Sequence, residues 1–433
     1  MSNNNRKWWI KQLAKQNCVK VLKKAKAQVV IGLFLTIVLF SITVIIRAKA
    51  RDSLAQFIVS TLTVIPLSVL VRITTEDIIV RFQSEARELA VGLASAILGN
   101  CIEMCFAIMA VTQNDAIVAQ TGLTGSVLAN CLLIMGTCFL CGGFQNGDQT
   151  YPVIMARDKA QLLLLSLASI VLPTVFKLSS QAQQGLLEVS RSSAIVLLIV
   201  FVFYLGYCYH RHTAKEEEEL SIALGVAVAS QVSSAPVPIA FRAIDLKALR
   251  AKSLEASERC PKFSLIVNFT ILAFSLILIA VTSLFVVQSI EAPHIAIGVS
   301  KSFVGLVIIP VVYGCVEQVI TAVRSQAANI DWIIDIAVDS SIRISLFVLP
   351  VAVFAGWTTG LDSMNLFFDG FQVTTMGLAV ILVNYIMHTG CSHWYADSSM
   401  FVAMADLDRI QGVILISSFI LFAIAAWYYP NEA

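Results

Sequence analysis

The sequence predicts an all-α polytopic membrane protein with about eleven transmembrane helices, one N-terminal helix followed by two inverted five-helix repeats. Composition is the first ground. Of 433 residues, 58% are hydrophobic and only 13% are charged, with a mean hydropathy of +0.81, whereas soluble domains run about 25% charged. The second ground is that apolar runs of bilayer-crossing length, about 17–25 residues, recur eleven times. They lie near 29–46, 54–71, 89–112, 118–142, 161–177, 193–209, 264–287, 302–323, 332–356, 371–388 and 410–428. The third is a long polar interruption at 210–263 that divides the runs into six and five. Setting the first run aside leaves five on each side, and an odd number of crossings inserts the two units from opposite faces.

Four regions follow in chain order: a basic arm with the first helix (1–53), a first five-helix repeat (54–209), a polar loop with an acidic tract (210–263) and a second five-helix repeat (264–433). The arm from Arg6 to Lys26 carries no acidic residue, and Trp8 and Trp9 sit beside its lysines. That pattern fits an interfacial helix against anionic lipid or a plain solubilising arm. It is too long and too charged before the first apolar run to read as a signal peptide. With a cytosolic N-terminus, 23 Lys and Arg fall on the cytosolic side and 6 on the other, with Arg343 inside a run. This bias obeys the positive-inside rule. The partner of the positive charge is therefore the lipid bilayer, and no nucleic acid is expected. The loop opens on Lys215-Glu216-Glu217-Glu218-Glu219 and closes on a charged stretch, Phe241 to Lys262, with apolar residues at helical spacing. Cys138 and Cys141 have CxxC spacing but no second pair, so they read as packing residues. His210 and His212 read as a solvated helix end.

Two of the apolar runs carry a glutamate. Glu103 ends Leu98-Gly99-Asn100-Cys101-Ile102-Glu103, and Glu317 ends Pro310-Val311-Val312-Tyr313-Gly314-Cys315-Val316-Glu317. A carboxylate at the bilayer midplane is costly, so it marks an ion or proton path. Two of them, each behind helix-loosening residues and in corresponding halves, follow the way repeat-built transporters place a binding site. The next run in each half adds hydroxyl and amide groups: Gly125-Ser126 and Asn130, then Asp339-Ser340-Ser341. A lone serine in a membrane helix usually bonds back to its own turn. A serine beside glycine, next to each glutamate run, points to ligation or close packing. The candidate cation- and proton-binding set is thus Glu103, Asn100, Ser126, Asn130, Glu317, Ser340 and Ser341, with Glu103 and Glu317 as the metal-binding carboxylates. Calcium takes about six to eight oxygens, which carboxylates, Ser and Asn oxygens and freed carbonyls supply. Desolvation favours the protonated form of a carboxyl, so protons and a cation compete for one site.

Further short motifs stand in order from about residue 54 to the end. They are Thr75-Glu76, Gly99-Asn100-x-x-Glu103, Gly125-Ser126-x-Leu128-x-Asn130, Cys141-Gly142-Gly143 with Gln149-Thr150-Tyr151, and Ser190-Arg191-Ser192. After the acidic tract come Gly305-Leu306 with Pro310, Ser340-Ser341-Ile342, Ser392-x-Trp394 and Tyr428-Tyr429-Pro430. With these motifs the chain resembles cation/proton exchangers of the calcium:cation antiporter superfamily, of the vacuolar type found in fungi and plants. The resemblance implies a regulatory first span ahead of two inverted repeats, calcium bound between the glutamates and exchanged for protons, and a vacuolar or other endomembrane location. Ca2+ and H+ are then the transported ions, and no cofactor is implied.

The second repeat departs from the pattern. The family's Gly-Asn-x-x-Glu-His stands here as Tyr313-Gly314-x-x-Glu317-Gln318, and its Gly-Ser-Ser-Ile-Gln as Asp339-Ser340-Ser341-Ile342-Arg343. Its Ser-Asn-Trp-Leu-Glu-Gly reads Ser392-His393-Trp394-Tyr395-Ala396-Asp397. A carboxamide has become a guanidinium that stays charged in any protein setting. Pointed inward, Arg343 takes the formal charge of two glutamates from −2 to −1, and Asp339 restores −2 by pairing with it. Asp339 or Glu317 is its expected partner, because an unpaired buried charge is costly. At an effective dielectric of about 20, a +1 and a +2 charge about 5 Å apart repel by roughly 6–7 kcal/mol. If Arg343 instead snorkels or turns to another helix, the site stays usable.

The favoured function is a divalent-cation (Ca2+-like)/H+ antiporter with an altered second half-site, whose site-modifying residues are Arg343, Asp339 and Gln318. One alternative is a membrane enzyme on the exchanger fold that isomerises or cyclises a lipophilic small molecule. Glu103, Glu317, Arg343, Tyr313 and Gln318, with His388 or His393, would then serve as acid–base and oxyanion-stabilising groups. The other alternative is a non-transporting regulatory paralogue.

Overall fold

The computed structural model describes residues 3–50, 53–82, 94, 97–145, 153–179, 185, 187–208, 263–315, 330–389 and 401–429, and all regular structure among them is helical. The first half holds α1 (Asn3–Lys49), α2 (Leu54–Phe82), α3 (Cys101–Thr112), α4 (Ala116–Leu128), α5 (Met135–Gln145) and α6 (Val153–Ser179), then α7 (Leu187–Cys208). The second half holds α8 (Leu265–Gln288), α9 (Lys301–Gly314), α10 (Ile330–Arg343), α11 (Leu349–Thr359), α12 (Gly370–Thr389) and α13 (Phe401–Tyr428).

Among the described residues, nine helices are long and apolar enough to cross a membrane, and they coincide with nine of the expected runs. The other two expected runs coincide with shorter apolar helices, Cys101–Thr112 and Lys301–Gly314. These are the two glutamate runs; the first is broken at Gly99-Asn100, and the second continues past 315 outside the described residues. The loop at 209–262 and the segment 390–400 lie outside the described residues. Helix α1 runs unbroken from the basic arm into the first apolar run, where Val30, Phe34 and Ile37 are exposed as a lipid-facing stripe.

Contacts divide the chain into two compact units. In the unit made of residues 1–34, 70–96 and 203–273, the end of α2 fastens the start of α8. Asp77 accepts from the Phe263 N–H at 3.0 Å and from the Asn268 amide, and Arg81 donates to the Phe263 carbonyl at 2.6 Å.

The other unit, residues 35–69, 97–202 and 274–433, holds every described candidate site residue. Helix α3 turns into α4 through Asn114, whose φ of 60° is a conformation that asparagine tolerates. The Asp115 carboxylate then caps α4 by accepting from the Val118 N–H at 3.1 Å. At the far end of α3, Gln113 accepts from Gln288 at 2.8 Å, and Arg47 of α1 lies 4.2 Å over the Phe285 ring. Before α9, Lys301 donates to Glu291 at 2.6 Å and holds that carboxyl below its ordinary range.

Glycine lets helices of this unit touch backbone to backbone. A methyl group at Gly125 of α4 would lie 2.4 Å from the Leu306 carbonyl oxygen of α9, and one at Gly305 would lie 2.1 Å from Thr121 Oγ1. Where α5 crosses α13, a methyl group at Gly412 would lie 2.7 Å from the Leu140 nitrogen and 2.8 Å from the Gly136 oxygen. Small residues let membrane helices approach this closely. Gly125→Ala is therefore expected to cost about 2–3 kcal/mol, as overpacking does when the neighbour is backbone. Thermal unfolding in detergent checks it, with Gly206→Ala as the control, since nothing lies within 4 Å of that position.

Among the described residues, four π turns interrupt the α ladder: Ala129–Ile134 after α4, Val304–Ile308 within α9, Val311–Cys315 at its end, and Ile344–Val348 after α10. Such turns are rare and gather at functional positions. Here one begins within four residues of Ser126 and another within four of Ser340.

Candidate functional site

Asn100 stands at the N-cap of α3 with φ −125° and ψ 24°, and its side chain makes no capping bond. The amide oxygen is instead turned to α10, where it accepts from Ser340 Oγ at 3.1 Å. The same Ser340 oxygen accepts from Asn130 Nδ2 at 3.0 Å. One serine thus joins the α3 break, α10 and the π turn after α4. The three residues come from distant parts of the sequence, and each was a candidate ligand.

Glu103 lies in the first turn of α3, where the helix dipole favours an anion. It is 8% exposed. A methyl group at Gly314 would lie 3.2 Å from its Oε1, so the missing side chain at 314 is what lets this carboxylate rest on α9. Among the described residues, no other side chain hydrogen-bonds or ion-pairs with the Glu103 carboxylate. Ser126 donates to its own turn, to the Gly122 carbonyl at 3.0 Å, which leaves its lone pairs for other contacts. Ser341 likewise donates to the Ala337 carbonyl at 2.9 Å and lies 3.3 Å from Cys131 Sγ. Glu317 and Gln318 lie outside the described residues, as do His393 and the side chain of His388.

Arg343 sits against the α3 break. Its Nη1 would lie 3.2 Å from a methyl group at Gly99, and its Nε is buried without a hydrogen-bond partner. Gly99 is exposed and lies one turn before Glu103. The guanidinium therefore lies against the backbone just before the α3 N-cap.

Its expected partnership with Asp339 is corrected. Asp339 pairs with Lys159 of α6 at 2.9 Å, and Arg343 makes no ion pair among the described residues. Lys159 was missed because it falls two residues before an apolar run, where a lysine reads as snorkelling to the surface. In the folded chain it is 7% exposed. The sequence signal for it was the demand for a counter-ion that an aspartate places on its surroundings.

Tyr313 is engaged by α8 and α3. Its hydroxyl is 3.1 Å from Ser283 Oγ of α8, and its ring meets Phe106 edge-on at 5.2 Å. It acts as a buried wedge between α9, α8 and α3. Cys138 and Cys141 are free thiols.

Among the described residues, no three His, Cys, Asp or Glu side chains form a metal cluster. What the structure gathers is a set of hard polar groups: Asn100, Ser340 and Asn130 in one hydrogen-bonded chain, with the buried Glu103 carboxylate three residues after Asn100, against Gly314. Such oxygens suit calcium or magnesium rather than softer metals. A buried carboxylate can hold either a cation or a proton.

Known proteins were compared with the chain. The family model described as sodium/calcium exchanger protein matches residues 52–210 and 267–428. The vacuolar calcium ion transporter of Schizosaccharomyces pombe is 26% identical over 379 residues, which covers 87% of this chain and 79% of that protein. The Ca(2+)/H(+) antiporter of Aphanothece halophytica is 26% identical over 386 residues, covering 88% and 91%. The vacuolar cation/proton exchanger 3 of Arabidopsis thaliana is 26% identical over 350 residues, covering 79% and 67%. Among solved structures, native YfkE aligns with a TM-score of 0.66 at 23% identity, over 92% of this chain and 100% of that one. The H+/Ca2+ exchanger CAX aligns with a TM-score of 0.54 at 11% identity, over 94% and 97%. The fold is shared with both.

Proposed function

Because the chain belongs to the sodium/calcium exchanger family, we propose that it exchanges a calcium-like divalent cation for protons, with Glu103 as the group that carries both. The observation that carries this reading is a buried carboxylate on Gly314, three residues after Asn100 of the Asn100–Ser340–Asn130 chain. Deprotonated, Glu103 supplies the charge a divalent cation needs, and that chain supplies neutral oxygens. Protonated, it releases the cation. A site that cannot hold both couples two opposite fluxes, and two inverted repeats, 54–209 and 264–433, expose it alternately. Glu317 is the second carboxylate of this reading.

Arg343 modifies the site. A fixed guanidinium at the α3 break opposes an incoming divalent cation and lowers its affinity. Asp339 is held by Lys159, so it does not offset that charge. The positive-inside bias supports a cytosolic N-terminus, and the vacuolar names of the relatives support an endomembrane location. The enzyme reading for a lipophilic molecule gains no support from the family match.

Purified protein in vesicles with an acidic interior is expected to take up calcium only while the pH gradient lasts. Uptake should half-saturate at roughly millimolar calcium, a weak site on the scale of calcium-binding proteins. Failure to take up calcium, strontium or manganese under the gradient overturns the reading.

A further inference from the structure

An alternating site must be shut on one side while it is open on the other. In this structure Gly99, at the α3 break, is exposed. On the α6 side the surroundings differ. Lys159 is buried and meets Asp339 at 2.9 Å. The next residue on α6, Ala160, gives its carbonyl to Asn384 Nδ2 of α12 at 3.2 Å. Helix α6 of the first half is thus held at one level by two helices of the second half. Asp339 directly precedes Ser340, the serine that joins Asn100 to Asn130.

We propose that Lys159 and Asp339 form an inter-repeat latch that shuts the approach to Ser340 from the α6 side. The inference rests on the antiport reading. Both partners act by position: neither touches the cation, and their attraction keeps α6 against α10. An ion pair buried at its lysine and half-buried at its aspartate suits this task better than an apolar contact. Once separated, each charge regains water, so the open form is not penalised by exposed apolar surface, while the closed form is fixed in one geometry. Asp339 and Arg343 also share one helix face, four residues apart. A released Asp339 therefore meets a second cation on its own helix, and the opened state has a partner waiting.

Cys131 reports on the latch. Its thiol is buried and lies 3.3 Å from Ser341 Oγ, one residue past Ser340. A charged, water-soluble thiol reagent is applied to the full-length protein, and its addition at each cysteine is followed by peptide mass spectrometry. The double variant Lys159→Gln/Asp339→Asn removes the attraction and keeps similar shapes, so it is expected to fold. Modification of Cys131 is expected to speed up about tenfold in it, as for a segment freed to open locally. Lys159→Arg keeps the charge and should keep the native rate. Cys138, buried on α5, should not change. A rise at Cys131 below about threefold, or an equal rise at Cys138, overturns the latch, the latter because it means general loosening. Thiol access is read without any transport, so this inference and the antiport reading fail separately.

Discussion

Vesicles carrying Glu103→Gln are expected to lose pH-driven calcium uptake by at least about a hundredfold, which corresponds to about 2.7 kcal/mol of lost cation stabilisation. The amide keeps the size and hydrogen-bonding capacity of the carboxyl but neither its charge nor its proton. Both halves of the exchange depend on those two properties, so the loss cannot be recovered with more calcium or a steeper gradient. Stability should move the other way or not at all, because the variant no longer buries a carboxylate that lacks a described side-chain partner. Uptake in the same vesicles, with elution profile and thermal midpoint of the purified variant, checks both points. Gradient-driven uptake within about tenfold of native, some 1.4 kcal/mol, would show that Glu103 is not the carrier.

The second large effect concerns Arg343. Replacing it with glutamine is expected to tighten apparent calcium affinity by about tenfold or more. At an effective dielectric of about 20, a +1 and a +2 charge even 10 Å apart repel by about 3 kcal/mol. Part of that is lost to solvent at the exposed α3 break, which sets the expectation nearer tenfold. Arg343→Lys keeps the charge and should keep the weak affinity, which separates charge from shape. Half-saturation of uptake against calcium concentration is the measurement. An unchanged midpoint in Arg343→Gln would mean that the guanidinium does not act on the cation.

Much of the fold was legible because the bilayer imposes one simple rule on each helix, an apolar run of sufficient length. That rule is local, and so were the signals for Asn100 and Glu103, which sit at the α3 N-cap and three residues past it and are announced by Gly99-Asn100. The convergence of Asn100, Asn130 and Ser340 was visible as three polar residues in apolar runs, but not as one hydrogen-bonded chain. The Lys159–Asp339 pair was not legible, because nothing near Lys159 records which helix will pack against it. Tyr313 misled for a related reason. It replaces a glycine at a motif position, yet a long side chain can leave that position, and here it reaches Ser283. The π turns left no mark either, since an extra residue in a helical turn is set by neighbouring packing rather than by propensity.

Those turns carry a mechanical consequence. Each stores one residue more than an α turn of the same height, so the helix around it has slack. If the Ile344–Val348 turn winds down into α-helix or migrates toward Arg343, the side chains it passes rotate by roughly 100°, the angle of one residue in an α-helix. A step of that kind would swing Arg343 off the Gly99 face without breaking α10. The slack thus lies directly after Arg343, where the proposed repulsion of the cation would be switched by a single helical step.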